Sequence, residues 1–280
     1  GRSAWIQLGW LYVDSTRLFE KARDAQHHFV PDVRDLAAVE RLLAAGDVAG
    51  VLTELPNNPQ LETADIPALR ALCDRYGARL LLDPSSVGLA TVDVLPWADI
   101  LCCSLTKYAA SEGDVMAGVL AVNPSRPDAA ALLAGARAHL APLHPLDTAA
   151  LATQVGRLGE VTARLSATAA ELARRLAAHP AVARVRTADT GPTAAAFRAP
   201  VRQSPLAPTA CPVVGRPAWT RRLQRAETAP SPCARRLNPD GEKGAAPVCR
   251  GREWSDRGQS DRRGPVARVG HAHPGGHRRG

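Results

Sequence analysis

Lysine is nearly missing from this chain: Lys21, Lys107 and Lys243 stand against 32 arginines. Other absences set bounds. No apolar run approaches the roughly 18 residues that span a bilayer, and nothing near Gly1 resembles a signal peptide, so a cytoplasmic protein without membrane partners is expected. Six cysteines, scattered through 280 residues, make no disulfide scaffold. Cys211, Cys233 and Cys249 lack the paired spacing of a zinc site, and His271, His273 and His277 lie on a glycine-rich stretch that fixes no geometry, so no metal is expected. Cys102 and Cys103 read as small buried hydrophobes, and His27-His28 as a loop before Phe29.

What the chain does contain is unevenly distributed. Residues 1 to 195 carry 18 basic against 21 acidic side chains, and the remainder carries 17 against 6. The first part alternates helical and extended patterns. Leu36, Val39, Leu42 and Leu43 share a helix face, Val48 to Leu52 reads as a strand, and Ile66, Leu69, Leu72 and Cys73 mark a helix ending at Gly77. That alternation predicts an α/β fold with a parallel-rich sheet covered on both faces. A helix is expected over Ala129 to Leu140 and a long one over Asp147 to Ala178, striped by Leu151, Val155, Leu158, Leu165, Leu172 and Leu176. Gly156, Gly159, Thr162 and Ala169 weaken an intermolecular seam, so an internal bridging helix is the reading, followed by a strand over Ala181 to Val185. Residues 196 to 280 are rich in Arg, Pro and Gly without apolar period, and are expected to stay disordered.

Against this background Lys107 stands out. It sits in Ser104-Leu105-Thr106-Lys107-Tyr108, directly after an apolar run. Arginine keeps its proton, whereas a desolvated lysine loses it and attacks a carbonyl. A solvated lysine at a strand end is the plainer reading. Upstream, Leu80-Leu81-Leu82-Asp83 reads as a parallel strand ending in a carboxylate, and open α/β sheets hold their ligands at the carboxyl ends of strands. A carboxylate there and a lysine on a neighbouring strand end suit pyridoxal 5'-phosphate (PLP), whose ring nitrogen needs an acid beside it. Ser104 and Thr106 offer hydroxyls to a phosphate. Asp83 reads equally as a turn residue before Pro84-Ser85-Ser86.

Four segments in order carry a resemblance: Glu54-Leu55-Pro56-Asn57-Asn58-Pro59, Asp83, Asp99 to Tyr108, and Gly113-Asp114-Val115-Met116-Ala117-Gly118. Together they resemble the Cys/Met-metabolism, or trans-sulfuration, family of PLP enzymes. Asp93 to Asp99 and Tyr12 to Lys21 are more similar to its cystathionine gamma-synthase branch, particularly fungal-type members. The resemblance implies a fold-type-I, aspartate-aminotransferase-like cofactor domain. It implies that Lys107 bonds the cofactor aldehyde and shuttles protons, that Asp83 pairs with the ring nitrogen, and that Ser104 and Thr106 hold the phosphate. Asn58 would bond the ring hydroxyl and Tyr12 would stack on the ring, although Val13-Asp14-Ser15 replaces the usual glycines. Pro84 to Gly88 and Ser111-Glu112-Gly113 also depart from the family pattern.

The implied partition is 1–145 as a partial PLP domain, 146–195 as bridging helix and start of a small domain, and 196–280 as a basic tail, disordered or out of frame. Members act on small amino-acid substrates as homo-oligomers, dimer or tetramer. The implied reaction forms cystathionine from an O-acyl-L-homoserine and L-cysteine. A sulfhydrylase, a lyase or an inactive PLP-domain remnant are the alternatives, and the chain's short front end and missing substrate-carboxylate arginine weigh toward the remnant. Nucleic-acid association through the arginine-rich tail is a separate reading. The sparse aromatics there, Trp219 and Trp254, argue against it.

Overall fold

Short apolar runs build the centre of the molecule. In the computed structural model, which describes residues 2–21 and 26–201 and the backbone of 213–215, all within the unit Gly1–Ala229, they form one six-stranded sheet. Its strands are β1 (Ala4–Leu8), β2 (His27–Val30), β3 (Val48–Glu54), β4 (Arg79–Asp83), β5 (Ile100–Ser104) and β6 (Gly118–Val122), in the order β2-β1-β3-β4-β5-β6. The first five are parallel and β6 runs antiparallel along β5. Ile6, Gln7 and Leu8 are successive and all buried, and successive strand residues face opposite sides. Both faces of the sheet are therefore covered at β1, as a parallel sheet requires.

The crossovers start and stop where side chains dictate. Between β1 and β2 runs α1 (Val13–Lys21), and between β2 and β3 runs α2 (Leu36–Ala44), whose N-cap Asp35 accepts from the Ala38 amide. Next, α3 (Ile66–Tyr76) is capped by Asp65 on the Ala68 amide and closed by Gly77 at φ 63°, a left-handed turn that glycine adopts without strain. Behind β6 follow α4 (Ala129–His139), α5 (Pro145–Val155), α6 (Leu158–Ala177), β7 (Arg184–Arg186) and α7 (Ala194–Arg198), with β7 antiparallel to β8 (Val213–Gly215).

Five expectations change. The helix expected over 147–178 is two, parted at Gly156-Arg157, because Gly156 and nearby Gly159 each cost a helix about 1 kcal/mol against alanine. Its leucine stripe is not the buried face: Leu165 and Leu172 are exposed, whereas Val161, Thr162, Ser166 and Ala173 are buried. His27 and His28 lie in a strand, in register with Trp5 and Ile6, and the strand expected over 181–185 begins at Arg184. Residues 196–201 belong to the folded unit: Phe197 is fully buried, Pro200 accepts from the Asp93 amide, and Val201 bridges to Val92. A large apolar side chain on the short α7 reached the core that composition alone denied it. The rest of the tail, with Cys211, Trp219, Cys233, Cys249, Trp254 and the three histidines, lies outside the described residues.

Candidate active site

The order β2-β1-β3 reverses direction between β1 and β3, and open α/β sheets open a ligand crevice at that point, outside the carboxyl ends of the strands. At this edge β3 ends in Glu54, β4 in Asp83 and β5 in Ser104. Glu54 and Asp83 are paired in register on neighbouring strands. Two carboxyl groups thus share one sheet edge.

Asp83 is partly buried, and burial raises its proton affinity above the ordinary carboxylate range despite hydrogen bonds from Ser85. The Ser85 amide donates to Asp83 Oδ1 at 2.8 Å, which is the turn geometry that Asp-Pro-Ser favours. No lysine or arginine pairs with Asp83 among the described residues. A protonated heterocycle fits such a group, since a cation beside it favours the carboxylate that burial opposes.

Lys107 lies three residues beyond β5, in an exposed turn. That turn is fastened to the loop behind Asp83. The Ser104 amide donates to Ser85 Oγ at 2.7 Å, and the Tyr108 hydroxyl donates to the Ser86 carbonyl at 2.7 Å. Gly88, at φ 76°, lets the loop pass Tyr108, because a Cβ there would sit 2.9 Å from the ring. The Thr106 hydroxyl gives its one proton to the Ala117 carbonyl (3.2 Å) and accepts from the Ala117 amide (2.9 Å). As a phosphate donor it would first have to release that carbonyl. The Ser104 hydroxyl carries no such bond among the described residues. A cavity of about 400 Å³ opens beside this turn, lined by Thr106, Met116, Gly118, Pro142 and His144.

Tyr12 and Asn58 are both exposed and reach the same edge from β1 and β3. Tyr12 stands just ahead of α1, which docks by stacking Phe19 on His27 at 4.8 Å. Their backbones meet at a residue that motif reading treated only as a landmark. Glu54, 5% exposed, accepts from the Tyr12 amide at 2.5 Å and from the Asn58 amide. Burial raises its carboxyl to about 7, with Asp83 adding repulsion and the two amides pulling the other way. Gln154 was missed as well. Buried on α5, it donates to Asp114 (2.9 Å) and accepts from the Glu112 amide (3.0 Å), so a helix 40 residues downstream holds the altered loop after the lysine. An isolated glutamine in a helix gives no sequence signal of that kind.

Cys102 and Cys103 are pushed up by burial to about 12 and about 11, which keeps both thiols protonated. A cavity of about 440 Å³ opens at the opposite sheet edge, among Arg70, Arg79, Asp99, Arg126 and Asp128, which pair with one another. No cluster able to hold a metal occurs among the described residues, and none of their helices is long and apolar enough to cross a membrane.

Comparison with solved structures defines the class. A cystathionine gamma-lyase from Micromonospora echinospora superposes with a TM-score of 0.66 and 25% identity, covering 76% of this chain and 56% of that one. The described residues have the fold of the fold-type-I PLP enzymes. Its residues 3–193 match the Cys/Met metabolism PLP-dependent enzymes, and it belongs to that family, whose cofactor is pyridoxal phosphate.

Curated relatives extend the picture. An L-2-amino-4-chloropent-4-enoate dechlorinase/desaturase from Streptantibioticus cattleyicolor is 42% identical over 176 residues, 62% of this chain and 35% of that protein. The cystathionine gamma-synthase of Saccharomyces cerevisiae is 32% identical over 120 residues, 42% of this chain and 19% of that protein. An alanine racemase from Aspergillus violaceofuscus is 38% identical over 180 residues, 61% and 31%. The chain spans 35% or less of these relatives' lengths.

Proposed function

We propose that the chain carries the cofactor-binding part of a PLP enzyme that acts at the γ-carbon of an L-amino acid, forming cystathionine from an O-acyl-L-homoserine and L-cysteine. The supporting observation is the joined pair of loops, one led by Asp83 and the other carrying Lys107. When bound, PLP supplies the electron sink that stabilises negative charge at the substrate α-carbon. In this reading Lys107 Nζ removes the α-proton and later returns one, while Asp83 keeps a proton on the ring nitrogen. Ser104 donates its free hydroxyl to the phosphate, with Thr106 beside it. Asn58 bonds the ring hydroxyl and Tyr12 covers the ring face. At the γ-carbon the C–O bond breaks, the acyl group leaves as a carboxylate, and the cysteine sulfur forms the new C–S bond as its proton is lost. The working enzyme would be a cytoplasmic homo-oligomer.

A second reading rests on the dechlorinase relative, whose name places chlorine on carbon 4, also a γ-carbon. Both readings remove a substituent from that carbon and differ in whether a thiol then adds. Purified chain given PLP and borohydride should retain a pyridoxyl group on Lys107, and Lys107→Ala should retain none; identical spectra for the two sink the site. Incubation with an O-acyl-L-homoserine and cysteine should yield cystathionine by mass spectrometry. Chloride released from 2-amino-4-chloropent-4-enoate, without cystathionine in the first assay, favours the second reading. Bound PLP with neither product identifies an inactive remnant.

A further inference from the structure

The carboxylate of Glu54 receives two backbone amides from two different loops. The Tyr12 amide arrives from the loop behind β1, and the Asn58 amide from the loop behind β3. Both loops are held close. Gly9, at φ 75°, passes so near Asn57 that a Cβ there would lie 3.1 Å from its Nδ2 and 2.5 Å from Val33. Asn57, fully buried, accepts from the Glu62 amide through Oδ1 (2.9 Å), donates its own amide to the Glu62 carbonyl (2.9 Å) and accepts from the Leu61 amide (2.9 Å). Within that turn Leu61 sits at φ 59°, a left-handed conformation that a branched side chain takes only when its surroundings impose it. The loop carrying Asn58 is thus set rigidly on one side, and Glu54 ties it to Tyr12 on the other.

We infer that Glu54 is a positioning residue of the cofactor pocket, a single buried carboxylate that fixes the spacing between Tyr12 and Asn58 across the crevice and so sets how tightly PLP is held. The inference rests on the proposed function, in which those two side chains face the ring. Removing the carboxylate leaves two inward amides short of an acceptor, and the loops that carry them part. A glutamine of the same shape keeps one acceptor oxygen and turns an NH2 toward the other amide.

The test uses the whole chain in two arms. Without PLP, hydrogen exchange at the Tyr12 and Asn58 amides should quicken at least tenfold in Glu54→Gln, with β4 and β5 amides unchanged. With PLP, a titration followed by cofactor absorbance should show affinity about tenfold weaker, while saturating PLP still gives a borohydride-stable product at Lys107. Exchange at both amides equal to the parent, or affinity within twofold of it, overturns the inference. Glu54→Asp, which keeps the charge but shortens the reach, serves if the glutamine variant fails to fold; a severalfold loss is expected and parental affinity overturns the idea. Asp83→Asn and Lys107→Ala run alongside. If these also bind PLP as the parent does, the proposed function itself fails; if they lose it and Glu54→Gln does not, only the role of Glu54 fails.

Discussion

Ser104 and Ser85 are joined by a 2.7 Å hydrogen bond in which the amide at the end of β5 donates to the hydroxyl two residues beyond β4. The same Ser85 gives its own amide to Asp83. One small residue therefore links the carboxyl group to the segment that leads to Lys107. Ser85→Ala keeps the backbone bond to Asp83 and removes the hydroxyl that also bonds Asp83 and accepts from the Ser104 amide. A stability loss of about 1 kcal/mol is expected in urea unfolding. Formation of the Lys107 pyridoxyl product at limiting PLP should fall severalfold; parental yield would count against this bond as the link.

Glu54 makes stability depend on pH in a direction opposite to that of most carboxylates. Its folded-state proton affinity, raised to about 7 by burial, exceeds that of the unfolded chain near 4.5. The folded state thus binds the proton more tightly, and the contribution is complete below pH 4.5 and lost as pH rises through 7. A gap of this size amounts to roughly 3 kcal/mol. His27, lowered chiefly by burial, works the other way, losing stability as pH falls below its unfolded value of 6.5. The difference between parent and Glu54→Gln isolates the first effect. Unfolding free energies at pH 5 and pH 8 should show the parent falling relative to the variant by a few kcal/mol, and parallel curves would refute it.

The placement of Asp83 and Ser104 was legible because each closes a short strand. The runs before Asp83 and Ser104 are apolar and short, and the parallel pairing that follows brings their ends side by side. The roles of Glu54 and Gln154 were not legible, since each acts on backbone amides that only the folded loops bring within reach. The leucine stripe misled because spacing marks a possible seam without saying which side of the helix meets the sheet. Composition likewise placed Phe197 in the tail, since an average over many residues hides one large apolar side chain.

Asp99 organises the opposite sheet edge. It is 7% exposed, accepts from the Leu80 amide at 2.6 Å, and pairs with Arg70 at 2.7 Å and Arg126 at 2.8 Å. Asp99→Ala would leave Arg70 and Arg126 with only the more exposed Asp74 as shared counter-charge, at a cost of about 3 kcal/mol. Because this cluster lies at the amino ends of the strands, the folded fraction should still bind PLP with parental affinity. Urea unfolding with a parallel PLP titration checks both halves, and a selective affinity loss at full folding would place the cluster in the site's function.

Phe197 carries the fold past the change in composition near residue 195. Its ring is fully buried, and α7 is anchored on both sides: the Thr63 amide donates to Thr193 Oγ1 at 2.9 Å, and the Asp93 amide to the Pro200 carbonyl at 2.8 Å. Truncating a buried phenylalanine to alanine costs about 3–5 kcal/mol, through lost transfer energy and the cavity left behind. Phe197→Ala should therefore lower the urea midpoint strongly. A chain stopped after Val201, although it loses β8 from β7, should be markedly more stable than one stopped after Thr193, which should lose at least as much as the point variant. Equal stability of the two shortened chains would show that α7 contributes nothing, and would return the boundary to the change in composition near residue 195.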